Sequence, residues 1–155
     1  MTVAPDVPAL QVDDPAQAID ALRRSGLRIS TARRLVVEAL FGADGPVTAA
    51  QLAQRLSLEE SSVYRNLEVL EQHGLARHVH LGHGPGLYVR SGREDGEFLY
   101  CEGCERVTVL EPHDLDTIRT EIRDRFGLTA RFAHFPIVGL CADCAATGPA
   151  HHHDH

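Results

Sequence analysis

Residues 57–75 read Ser57-Leu58-Glu59-Glu60-Ser61-Ser62-Val63-Tyr64-Arg65-Asn66-Leu67-Glu68-Val69-Leu70-Glu71-Gln72-His73-Gly74-Leu75. Val63, Leu67 and Leu70 recur at i, i+4 and i+7, the spacing of one buried helix face. Gly74 stops the pattern, as glycine commonly does just past a helix. The S-x-x-E run from Ser57 to Glu60 matches a capping box opening this helix. Tyr64 and Arg65 fall on the side away from Val63 and Leu67, beside the small hydroxyls of Ser61 and Ser62. Such a polar, aromatic and cationic face suits a helix lying in the DNA major groove. Arginine pairs bidentately with guanine or phosphate, and tyrosine packs on thymine methyls or donates to phosphate.

Working outward, three helices precede this one. Asp14-Pro15 reads as an N-cap and first helical residue, with Ile19 and Leu22 inward and an end near Gly26. Ser30 or Thr31 caps the second helix, whose apolar side carries Leu35, Val36, Ala39 and Leu40. Thr48 caps a short third helix bearing Leu52, Ala53 and Leu56. After Gly74 the period changes. Leu75 to Leu81 and Leu87 to Arg90, separated by Gly82-His83-Gly84-Pro85-Gly86, read as a β-hairpin. Helices followed by a hairpin make a winged helix over residues 15–90, with residues 1–14 a flexible arm. Residues 91–96 are polar and read as a hinge. Residues 97–145 read strand, helix, strand, an α/β unit. Its helix runs from Asp114 to Phe126, with Leu115, Ile118, Ile122 and Phe126 at helical spacing, and Leu128 to Leu140 is extended. Residues 146–155 form a His-rich tail.

The chain has 155 residues, is 43% hydrophobic and 24% charged, and carries a net charge of −7. That balance excludes wholesale disorder. The acidity is uneven. Residues 91–155 hold 6 Arg against 12 Asp/Glu, whereas residues 15–90 hold 9 Arg against 7. A locally basic half still docks on phosphates, because the local field decides. No apolar run reaches the roughly 18 residues of a membrane span. No secretory signal opens the chain, so the expected setting is the cytoplasm.

The four cysteines form two C-x-x-C pairs, Cys101–Cys104 and Cys141–Cys144. In a reducing compartment this pattern points to a structural zinc held by four thiolates rather than to disulfides. The H-x-E and P-C-x-x-C signatures of zinc deaminases are absent. No nucleophile–base pair or phosphate loop has supporting context, so a zinc-dependent enzyme is the weakest reading.

Several of these motifs together resemble the ferric uptake regulator family. Ser62-Val63-Tyr64-Arg65-Asn66-Leu67, with Leu70 and Gly74-Leu75, is similar to its T-V-Y-R-x-L…L…G-L core. Leu27-Arg28-Ile29-Ser30-Thr31-Ala32-Arg33 resembles its L-R-x-T-x-x-R segment. Cys101-Glu102-Gly103-Cys104 and Gly139-Leu140-Cys141-Ala142-Asp143-Cys144 resemble its two zinc knuckles. The resemblance spans residues 15–144. It implies a metal-dependent homodimeric repressor, a winged helix binding palindromic double-stranded operator DNA, and a C-terminal α/β dimerisation domain. The expected DNA-binding residues are Arg28, Arg33, Ser61, Ser62, Tyr64 and Arg65.

The chain also departs from that pattern. Positions matching the family's hinge metal ligands are Pro46, Val89, Gly96 and Phe98, none with a donor side chain. Glu105 stands where the family has glycine. A second ligand set matches Asp95, Glu97 and Asp116, with His134 one residue off. These form a hard donor set for a second divalent metal, suited to manganese, iron or a divalent substitute. Zinc is favoured over manganese or iron by the resemblance alone, because the apolar Phe98-Leu99-Tyr100 before the first knuckle is similar to members of the family's zinc uptake regulator branch. A competing set is His78, His80 and His83, with Glu94 or Glu111. The tail histidines His151, His152, His153 and His155 bind metal by composition. A thiol- or peroxide-sensing transcription factor on the same fold is the alternative function.

Overall fold

The computed structural model describes residues 8–80, 86–92, 96–132 and 136–147. The chain divides into two compact units, Met1–Glu94 and Asp95–His155.

The first unit is built on helix caps that the sequence announces. In α1 (Pro15–Arg24) the Asp14 carboxylate accepts from Gln17 N–H at 2.8 Å, and Pro15 sits where its missing N–H costs nothing. In α2 (Thr31–Gly42) the Ser30 hydroxyl accepts from Arg33 N–H at 3.1 Å. β1 (Val47–Thr48) leads directly into α3 (Ala49–Leu56), and Thr48 serves both elements. Its hydroxyl accepts from Gln51 N–H at 3.1 Å while the Gln51 side chain accepts from Thr48 N–H at 3.0 Å. This is the capping box of the unit.

The box expected at Ser57–Glu60 does not form. α4 (Glu60–Gln72) has Glu59 at its N-cap with no side-chain bond. Ser57 instead ends α3 in the left-handed conformation, φ 54°, with its N–H on Ala53 O. A residue terminating one helix that way cannot also cap the next, so the short turn overrides the motif.

α1 to α4 enclose one core. Leu22, Val36, Val37, Leu40, Leu52, Val63, Leu67, Leu70 and Leu75 are essentially inaccessible. Each such burial stabilises the fold by about 1.5–3 kcal/mol before conformational entropy is counted. The wing hairpin, β2 (Ala76–His80) and β3 (Gly86–Arg90), is antiparallel, and β1 adds to its other edge in the order β1-β3-β2. The connecting residues 81–85 lie outside the described residues.

Residues 8–12, read from sequence as part of a flexible arm, lie against the end of α4. Leu10 N–H donates to Gly74 O at 2.9 Å, and Val12 packs on the core. Gly74 has φ +72°, and a Cβ there would stand 2.3 Å from the Pro8 carbonyl oxygen. Gly74→Ala therefore meets a left-handed backbone and a backbone clash together. We expect it to cost about 1–3 kcal/mol. Thermal unfolding should shift down by several degrees, and proteolysis between residues 8 and 14 should accelerate.

The second unit has a three-stranded sheet in the order β5-β4-β6. β4 (Glu97–Cys101) pairs antiparallel with β5 (Val107–Leu110) and parallel with β6 (Ile137–Gly139). α5 (Asp116–Phe126) lies between β5 and β6 in the chain. Of the run 128–140 read as extended, only Ile137–Gly139 pairs as a strand among the described residues. A short helix, α6 (Ala142–Thr147), follows Cys141, so residues 145–147 are helical. The apolar stripe of α5 is left open in the single chain. Leu115 is buried, but Ile118 is 47% and Phe126 77% exposed.

Candidate nucleic-acid interface and metal centre

α4 buries Val63, Asn66, Leu67 and Leu70 and exposes Ser61, Tyr64 and Arg65, while Ser62 is half-buried. Tyr64 is 39% exposed, its ring edge-on to Tyr88 of β3 with centroids 6.3 Å apart. Tyr88 in turn lies 5.5 Å from the His78 ring of β2, and His78 Nδ1 meets Glu71 Oε1 of α4. Burial, reinforced by the Glu71 carboxylate, pushes the Tyr88 hydroxyl up to about 12. This chain of contacts fixes the wing against the helix that bears Tyr64 and Arg65.

Arg33 and Arg28 differ in setting. Arg28 is exposed. Arg33 is half-buried: its Nε donates to Asn66 Oδ1 at 3.2 Å and its Nη1 to Arg28 O at 2.8 Å. Asn66 Nδ2 donates onward to Ser62 O at 2.9 Å. Arg33 thus braces the start of α2 to the exposed helix. The sequence reading missed Asn66, although it is a polar residue on the buried i, i+3, i+4, i+7 face of α4, where polar groups need partners.

The four cysteines converge. β4 places Cys101 at its end, and parallel pairing brings Gly139 opposite, with Glu102 N–H donating to Gly139 O at 2.9 Å. That register sets Cys141 and Cys144 beside the first pair. All four sulfurs lie within 4.8 Å of one another, and Cys104 Sγ is 3.9 Å from Cys141 Sγ. Zn–S bonds of about 2.3 Å in a tetrahedron put sulfurs ~3.8 Å apart, so the set fits zinc. Gly103 is required sterically: a Cβ there would lie 2.8 Å from Cys144 Sγ. Glu105 adopts φ 60°, the left-handed region in which glycine is favoured.

The thiols are unequal without a cation. Hydrogen bonds from the backbone at Cys141 and then Cys104 hold Cys101 down at about 6, while the neighbouring sulfurs, Cys141 first, push Cys144 up to about 12. Zinc bound by Cys101, Cys104, Cys141 and Cys144 would neutralise thiolate repulsion and tie the two knuckles into one structural unit.

Among the described residues these cysteines are the only group of three or more metal-ligating side chains brought together. Asp95, His134, His83, Glu94 and the tail histidines lie outside the described residues, as does the His80 side chain. His78 is engaged by Glu71. Glu111 is exposed, and its backbone N–H donates to Asp114 Oδ2 at 2.8 Å. Glu97 and Asp116 do approach one another, but through Arg119: Nη2 meets Glu97 Oε1, and Nη1 is 2.8 Å from Asp116 Oδ1.

The first unit is a winged helix, and the second carries four cysteines placed to hold a metal ion. Residues 30–79 match a helix-turn-helix domain family. The chain is 24% identical over 136 residues to the ferric uptake regulation protein of Neisseria meningitidis, covering 84% of this chain and 94% of that one. It is also 24% identical over 136 residues to the peroxide operon regulator of Bacillus subtilis, covering 83% and 92%. The ferric uptake regulator of Helicobacter pylori shares the fold with a TM-score of 0.61 at 15% identity, over 88% of this chain and 97% of that structure. The chain is thus similar over most of its length to these regulators and shares their fold. No described helix is long and apolar enough to cross a membrane.

Proposed function

We propose that the protein is a homodimeric, metal-dependent repressor of palindromic operator DNA, with zinc as the favoured metal. The observation that carries this reading is the exposed Tyr64–Arg65 face of α4, braced by Asn66–Arg33 on one side and by Tyr88 of the wing on the other. Arg28, Ser61, Ser62, Tyr64 and Arg65 are the proposed DNA contacts, and Arg33 positions them. Residues 15–90 form the DNA-binding domain, 91–96 the hinge and 97–145 the dimerisation domain.

Dimerisation is supported by apolar surface concentrated in the second unit. Leu99, Val109, Ile118, Phe126, Leu128, Val138 and Leu140 are each more than a third exposed, an arrangement that a single soluble domain seldom leaves open. Two copies would present two α4 helices to half-sites about one DNA turn apart. Metal dependence follows if loading favours the arrangement that reaches both half-sites.

The test is selection of operator sequences from random duplexes by the zinc-loaded protein, with affinity then measured during chelation and zinc return. The expected result is a palindromic consensus, a dimeric mass on DNA, and binding that falls on chelation and recovers with zinc. Affinity unchanged by zinc withdrawal, or responding only to peroxide, would overturn the metal-dependent reading.

A further inference from the structure

We propose that Arg119 is a built-in cation that occupies the place between Glu97 and Asp116 where the resemblance expects a regulatory metal. Glu97 comes from β4, and Asp116 and Arg119 stand one turn apart on α5. The two terminal nitrogens of Arg119 serve two carboxylates: Nη2 takes Glu97 Oε1, and Nη1 takes Asp116 Oδ1 at 2.8 Å. The contact is sheltered. The Glu97 side chain is 14% exposed and that of Arg119 24%, and the guanidinium lies 5.4 Å from the centre of the Phe132 ring. Both oxygens of Asp116 are already engaged, because His113 Nδ1 meets its Oδ2 at 2.9 Å. Glu97 keeps one buried oxygen, Oε2, without a partner among the described residues.

Among the described residues, Glu97, Asp116 and Arg119 do not fit a resident divalent ion. A metal there would find one oxygen without a partner and a permanent positive charge, since arginine does not deprotonate in proteins. Two carboxylates close together normally raise each other's pKa and invite a cation. Here the chain supplies that cation itself, on the same helix as one of the acids. The β4–α5 contact is then held whatever the metal supply. The inference does not depend on operator binding, because its test counts ions and reads melting without DNA.

The test uses the full chain with its cysteines zinc-loaded, titrated with Mn²⁺ alone as a hard-cation probe. Wild type should hold one zinc per chain and show no tight manganese site. Arg119→Gln should melt lower than wild type in the absence of manganese. It should also bind one Mn²⁺ at least 100-fold more tightly than wild type, and recover its melting temperature on binding. Adding Glu97→Gln to that variant should abolish the gain. The proposal is overturned if wild type binds manganese as tightly as Arg119→Gln, or if Arg119→Gln gains no site. Should Arg119→Gln fail to fold, wild type and Glu97→Gln still decide: a tight wild-type manganese site lost in Glu97→Gln overturns the proposal, and no such site in either supports it.

Discussion

Cys101→Ser should empty the metal centre and unfold the second unit while leaving the first folded. Structural zinc in small modules contributes an apparent 10–16 kcal/mol or so to the folded state. A domain is stable by about 5–15 kcal/mol in total, so the loss exceeds what the second unit can absorb. Its own core is thin: Tyr100, Cys101 and Leu115 are its buried apolar residues among those described, and none lies in α5. The first unit has a separate core around Leu40, Leu67 and Leu70. Metal analysis should therefore fall from one zinc per chain to none. Amide protection should vanish over residues 97–147 and persist in α2 and α4. The dimer should dissociate. A zinc-free Cys101→Ser protein with protected amides in β4 and a dimeric mass would show that the cysteines do not carry the unit. Gly103→Ala gives a milder form of the same test, because its added Cβ would press on Cys144 Sγ and Cβ rather than remove a ligand.

The helix starts were legible because capping is local. Asp14, Ser30 and Thr48 each accept from a backbone N–H three residues on, a distance that the sequence fixes. The same rule misled at Ser57, where termination of α3 claimed the residue first. The cysteine centre was legible as two knuckles, but their meeting depends on the parallel β4–β6 register, which no local pattern encodes. β1 escaped notice because two residues carry no period. The acidic set shows the limit most clearly. Asp116 and Arg119 sit at i, i+3, a helical ion-pair spacing open to inspection. Glu97 joins them only through tertiary packing, so three separate charges in the sequence become one ion-paired contact in the fold. Arg33 adds a contact of the same kind. It is an expected DNA contact, and its Nε also donates to the buried amide of Asn66, a partner 33 residues on that no local pattern encodes.

Replacing Tyr64 and Arg65 together by Ala should weaken operator binding about a hundredfold with little change in the fold. One good base contact contributes about 1–3 kcal/mol of discrimination. Two contacts near the lower end of that range, about 1.4 kcal/mol each, reach the roughly 2.8 kcal/mol that a hundredfold loss represents. Both side chains are exposed, whereas Val63 and Leu67 on the opposite side of α4 are fully buried, so the core is untouched. The one structural debt is the edge contact of Tyr64 on Tyr88, of order 0.5–1.5 kcal/mol. Tyr64→Phe isolates it, because the ring stays and only the hydroxyl leaves. Comparing Tyr64→Phe with Tyr64→Ala separates wing positioning from hydrogen bonding to DNA. Salt dependence then separates the roles of Arg65. If Arg65 holds a phosphate, Arg65→Ala lowers affinity for all sequences alike and reduces the salt slope by about one. If it reads a base, the loss is confined to operator DNA and one position of the consensus relaxes. A double variant that binds the operator as tightly as wild type, measured at two salt concentrations, would mean that α4 does not face the groove.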